Sequence, residues 1–156
     1  PEKVFLNKNH SKALEDGRIV EKNSFRRSNY FEHVGNECKH VNKKVGLLGT
    51  KFTMEEDFYK RRLLENFSIE TLVPSLARRD EAHRIIYEEL CCGRLLAESR
   101  QTYLQIIKNL KDSGAEAIIL GCTEIPLLIS QNDTEVPVFD TTTLHAAHAV
   151  ELATDE

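Results

Sequence analysis

Three short turns carry the side chains best suited to chemistry: 49-GTKFT-53, 121-GCTE-124 and 140-DTTT-143. Each sets hydroxyls, a thiol or a carboxylate directly after an apolar run. Where a helix begins at such a turn, its first N–H groups lack partners within the helix and attract anions, so a carboxylate or phosphate could be held there. The plainer reading is that these Thr and Asp residues only cap helices. Cys122 adds reactivity. A free thiol titrates at about pH 8.5, and a place at a helix N-terminus lowers that value and raises the thiolate fraction, suiting it to act as nucleophile or base. Glu124 pulls the other way, because a carboxylate disfavours a second anion beside it, although it can also hold or relay a proton. A small buried core residue is the competing reading of Cys122.

The elements that must position these turns alternate along the chain. Residues 45–49, VGLLG, form a short apolar run closed by Gly, as expected of a strand buried on both faces of a parallel sheet. Thr53 and Glu56 fit a capping box, with Phe58, Arg62 and Leu63 carrying the helix onward. A strand over 69–74 stops at Pro74. A helix over 80–93 places Ile85, Ile86, Leu90 and Cys91 at helical spacing and ends at Gly93, which puts Cys91 and Cys92 on an apolar face as core residues. A further helix over 95–114 carries Leu96, Tyr103, Ile106, Ile107 and Leu110 and closes at Gly114. Then come a strand over 117–121, a short helix over 124–129, a strand over 136–140 and a closing helix over 141–153. The alternation predicts a three-layer α/β fold with a mainly parallel four-stranded sheet flanked by helices, whose ligands bind beyond the carboxyl ends of the strands.

With 156 residues, 40% of them hydrophobic, the chain has the size of one ordinary domain and enough apolar content for a core. No apolar run approaches the roughly 18 residues that a membrane span requires, and the opening PEKVFLNKNH lacks the pattern of a secretory leader. A cytoplasmic protein without membrane association is expected. The four cysteines, at 38, 91, 92 and 122, show neither disulfide nor zinc spacing and read as reduced thiols, with no metal implied. A net charge of −4 gives no footprint for nucleic acid. The charge is uneven: residues 1–44 hold 10 basic against 6 acidic side chains, net +4, and residues 45–156 hold 11 against 19, net −8. The chain therefore divides into a basic, Asn- and Lys-rich segment over 1–44, read as an arm or a few irregular helices, and an α/β domain over 45–156.

The segments 45-VGLLGTKFTMEEDFYKRRL-63, 85-IIYEELCCG-93, 113-SGAEAIILGCTEI-125 and 137-PVFDTTTLHAAHAV-150 resemble, in order, the second half of the aspartate/glutamate racemase family. The resemblance runs from about Lys44 to Ala153, and the GCTE form is similar to the aspartate-type branch, including its broad-specificity members. It implies one half of a pseudo-symmetric two-domain fold with the active site between the halves. It also implies cofactor-independent inversion at Cα by two acid/base residues, usually cysteines, on opposite faces of an amino-acid substrate, aspartate or glutamate. Cys122 matches the second-domain cysteine, and Glu124 the acidic residue beside it. Gly49, Thr50 and Thr123 match positions that hold the substrate carboxylates. The family's first half, with its Cys-Asn-Thr motif, has no counterpart here, since Cys38 in 36-NECKH-40 lacks both the preceding apolar strand and the following Thr. Many relatives carry a carboxylate-binding Lys near position 81, where this chain has Glu81 with Arg78 and Arg79 nearby.

Two other readings stay open beside racemisation: a non-catalytic or truncated racemase-like fragment, and a related single-cysteine isomerase or decarboxylase. The closing helix, 144-LHAAHAVELA-153, is expected to expose apolar surface and so to favour a homo-oligomer. His145 and His148 on it read as ordinary helix residues.

Overall fold

The computed structural model describes residues 12–15, 18–21 and 43–154. Within the first segment, β1 (Lys12–Glu15) and β2 (Arg18–Glu21) form an antiparallel pair with Lys12 opposite Glu21 and Glu15 opposite Arg18. The sequence suggests an arm or irregular helices there; four-residue strands alternate too briefly to stand out. The rest of that segment, Cys38 included, lies outside the described residues.

The domain is built on a four-stranded parallel sheet of β3 (Lys44–Leu48), β4 (Glu70–Leu72), β5 (Ala117–Leu120) and β6 (Val138–Asp140), in the spatial order β4-β3-β5-β6. Among the described residues, five α-helices accompany it: α1 (Lys51–Glu55), α2 (Asp57–Phe67), α3 (Leu76–Glu88), α4 (Ala97–Asp112) and α5 (Thr141–Thr154). Among the described residues, none is long and apolar enough to cross a membrane.

The apolar runs read as strands are apolar because both faces of the sheet are covered. Leu48, Ile118 and Leu120 point to one side and pack with Ile85 and Ile86 of α3 and Tyr103, Ile106, Ile107 and Leu110 of α4. Val45, Leu47, Ala117 and Ile119 point to the other, against Tyr59 and Leu63 of α2, with Phe139 and Leu144 at the margin. Each fully buried Leu or Ile of these layers contributes about 1.5–3 kcal/mol relative to exposure. This is the expected three-layer α/β arrangement.

Two local expectations fail. The helix read over 80–93 begins earlier, at Leu76, and ends at Glu88; a tight turn, Leu90–Cys92, comes next and closes at Gly93 with φ 71, a conformation glycine adopts without steric cost. The turn rotates the chain so that Leu90 stays buried while Cys91 and Cys92 face solvent as free thiols, not core residues. Glu89 holds this turn. The residue is 5% exposed, its carboxylate accepting from Ser99 Oγ and from Arg84 at 2.9 Å, while its carbonyl accepts from Cys92 and Arg94 N–H. The capping box at Thr53 and Glu56 is also absent. Thr50 is the N-cap, accepting from Thr53 N–H at 3.3 Å, and Glu56 is the extended residue that separates α1 from α2.

Candidate active site

The strand order sets the site. From β3 the chain first crosses to β4 at one edge and then to β5 on the other side of β3, so successive connections depart in opposite directions from the β3–β5 pair. The crevice beyond the carboxyl ends of such a pair is where α/β sheets bind ligands. Leu48 pairs with Leu120, and Gly121 N–H donates to Leu48 O at 2.7 Å, so 49-GTKFT-53 and 121-GCTE-124 leave the sheet side by side. Gly49 and Gly121 let them approach. A Cβ on Gly49 would stand 2.9 Å from Thr53 Cβ and 3.3 Å from Gly121 O, and one on Gly121 would stand 3.2 Å from both Leu48 O and Thr53 Cγ2. All five residues expected at the site, Gly49, Thr50, Cys122, Thr123 and Glu124, therefore lie on two adjacent turns.

The thiol of Cys122 donates to Glu124 Oε2 at 2.9 Å, and Thr123 Oγ1 donates to the same oxygen at 2.7 Å. Burial among apolar neighbours is the main cause that pushes the Cys122 thiol up to about 12, with the Glu124 carboxylate adding to it. Glu124 moves the opposite way, held below the usual carboxylate range by the hydrogen bonds from Cys122 and Thr123. Of the two opposing influences read from the sequence, the helix N-terminus and the Glu124 carboxylate, the second prevails. The segment after Cys122 is a single three-residue turn of 3-10 helix, Ile125–Leu127, too short to build up a helix dipole. Desolvation and a neighbouring negative charge then decide the matter. The resting state is a thiol hydrogen-bonded to a carboxylate.

On the first turn, Thr50 Oγ1 lies 3.0 Å from Thr53 Oγ1. Lys51 N–H is taken by His83 Nδ1 at 3.2 Å, while Lys51 Nζ pairs with Asp80 and Arg79 with Glu55 Oε1 at 3.1 Å. These contacts fasten α1 to α3 and so fix the turn. Neither His83 nor Asp80 stands out in the sequence, since nothing local announces a partner about 30 residues away. Thr53 reads there only as a cap; the signal for its place at the site is Thr at both the N-cap and the N3 position, 50-TKFT-53.

Around position 81 both arginines are already engaged with carboxylates, Arg78 with Glu81 and Arg79 with Glu55. The third turn caps its own helix: Asp140 accepts from Thr142 N–H at 2.9 Å and from Thr143 Oγ1 at 2.6 Å, and buried Thr141 donates to Leu120 O at 2.7 Å. There the plain capping reading holds. His148 faces Glu151 of its own helix at 3.5 Å.

A family profile described as Asp/Glu/hydantoin racemase matches residues 29–149. The chain is similar to a candidate Asp/Glu racemase from Yersinia pestis of known crystal structure, with 44% identity and a TM-score of 0.75 over 80% of this chain and 54% of that one. It is likewise similar to the crystal structure of an aspartate racemase homologue from Pyrococcus horikoshii, with 41% identity and a TM-score of 0.73 over 81% of this chain and 55% of that one. Glutamate racemase 3 of Caldanaerobacter subterraneus is 31% identical over 97 residues, 56% of this chain and 31% of that protein. The chain thus spans 54% and 55% of the two crystallised relatives and 31% of the curated one.

Proposed function

We propose, from the premise that this chain belongs to the Asp/Glu/hydantoin racemase family, that it takes part in cofactor-independent inversion of aspartate or glutamate at Cα, with Cys122 as one of the two acid/base groups. The observation that supports this most is the hydrogen bond of 2.9 Å from Cys122 Sγ to Glu124 Oε2 at the crevice where β3 and β5 end. A thiol kept protonated by its surroundings is an acid ready to return a proton to a Cα carbanion: the S–H bond breaks, the C–H bond forms and a thiolate remains. In the other direction that thiolate removes the Cα proton. The ammonium group of a bound amino acid offsets the charge of Glu124, which brings the thiolate within reach. Thr50 and Thr123, with Gly49 allowing close approach, hold the substrate carboxylates. The second acid/base group works on the opposite face, because one base on one face returns the same enantiomer unless the carbanion turns over. The working form is a cytoplasmic homo-oligomer, a reading supported by the free thiols among the described residues and by the exposed Val150 on the closing helix.

Exchange of the Cα proton of L- or D-aspartate with solvent deuterium tests this. The wild type should exchange and Cys122→Ala should not; Thr50→Val and Thr123→Val should weaken binding of the dicarboxylate. Exchange that persists in Cys122→Ala, or none in the wild type, removes Cys122 from the chemistry. Aspartate binding without exchange would leave a non-catalytic fragment, and loss of CO₂ without racemisation a single-cysteine decarboxylase.

A further inference from the structure

We propose that Thr53 is a positioning residue of this site, aiming the hydroxyl proton of Thr50 outward and seating the turn that carries Cys122. The inference rests on the reading of Thr50 as a carboxylate-binding residue. A hydroxyl has one proton and two lone pairs. On Thr50, one lone pair accepts Thr53 N–H at 3.3 Å, and Thr53 Oγ1 stands 3.0 Å away. When Thr53 gives its hydroxyl proton to Thr50, both lone pairs are filled and the Thr50 proton is left for a ligand. A carboxylate arriving at Thr50 selects this arrangement over the reverse one, in which the proton of Thr50 is spent on Thr53.

The other branch of the same side chain acts on the second turn. Thr53 Cγ2 would lie 3.0 Å from a Cβ on Gly49 and 3.2 Å from one on Gly121, so the methyl occupies the space that both glycines leave open. Gly121 directly precedes Cys122. The backbone of Thr53 is anchored in turn, since its neighbour Met54 is fully buried in the core. One threonine thus touches both strand ends, through its hydroxyl on the Thr50 side and through its methyl on the Cys122 side.

Two near-isosteric variants separate the branches. Thr53→Val keeps the methyl contact and loses the hydroxyl; Thr53→Ser does the reverse. Aspartate binding should weaken about 3- to 10-fold in Thr53→Val, with the alkylation rate of Cys122 by iodoacetamide unchanged. In Thr53→Ser, binding should stay close to wild type while Cys122 alkylates roughly 3-fold faster or more, because its turn opens more often. The inference is overturned if Thr53→Val binds like the wild type while Thr50→Val binds more weakly. It is also overturned if both Thr53 variants speed alkylation alike, which is the mark of a purely structural residue. If Thr50→Val binds like the wild type, or the wild type does not bind aspartate, the carboxylate assignment itself fails and this inference with it.

Discussion

Replacing Glu124 with Gln removes the negative charge beside Cys122 and leaves its shape. With the thiol pushed up to about 12, roughly one molecule in ten thousand carries thiolate at pH 8. A hydrogen bond to a charged acceptor contributes about 1.5–3 kcal/mol, which at about 1.4 kcal/mol per pH unit corresponds to a fall of one to two units in the thiol. Burial, the larger cause of the elevation, is untouched, so the thiol stays above its ordinary value. The thiolate population then rises about 10- to 100-fold, but nucleophilicity falls with pKa at a Brønsted slope of about 0.4–0.5, leaving alkylation about 3- to 10-fold faster. The assay is pulsed iodoacetamide labelling at pH 8, then trypsin and mass spectrometry. The peptide beginning at Asp112 runs to the last residue without Lys or Arg and contains no cysteine but Cys122, so its labelling reports this thiol alone. Exchange of the Cα proton should fall in the same variant, since the neighbouring proton acceptor is lost. Labelling that is unchanged or slower in Glu124→Gln refutes the pairing as the holder of the thiol proton.

Glu89→Gln should cost about 1–3 kcal/mol, because a buried acceptor of Ser99 and Arg84 is weakened, and should lower Tm by roughly 2–10 °C. Ser99 chiefly, then Arg84, depresses the Glu89 carboxyl. Its stabilisation is therefore complete above the unfolded value of about 4.3 and is lost as pH falls through the lower folded value. The variant should accordingly show a shallower acid decline, and an unchanged Tm at pH 7 would count against the buried pairing. Val150, 62% exposed on α5, should contribute to self-association; light scattering should show Val150→Glu shifted toward monomer, and a wild type already monomeric at high concentration would contradict the exposed-face argument.

How far the sequence speaks depends on the range of the forces involved. Residues 117–120, AIIL, and the core of 45–49 are readable as strands because burial on both faces leaves no polar alternation to interpret. The order of strands and helices then leads to the β3–β5 crevice, and both Gly-containing turns fall there. The break at Glu56 and the turn at Leu90–Cys92 are not readable. Helical spacing continues through both, and the chain departs from it for tertiary reasons: Glu89 is pinned by Ser99, ten residues away, and α1 is fastened to α3 through Lys51, His83 and Asp80. That single turn at Leu90–Cys92 is what takes Cys91 and Cys92 out of the core.

The protonation of Cys122 illustrates the same limit at the site. Its position at a strand end beside Glu124 is local information, but which influence governs the thiol depends on the length of the helix after it. A full helix would supply aligned amide dipoles and favour thiolate; the observed Ile125–Leu127 turn supplies few. Apolar neighbours and a carboxylate at 2.9 Å favour the thiol. The acid form therefore rests in the free site, and a positive charge brought by a ligand would favour release of the proton. An amino acid brings such a charge on its ammonium group, whereas succinate offers the same two carboxylates without it. Succinate should consequently bind to the threonine turns yet leave Cys122 a thiol, while aspartate should raise the ultraviolet absorbance of its thiolate, read as the difference from Cys122→Ala. Equal effects of the two ligands would show that the ammonium group does not reach the thiol.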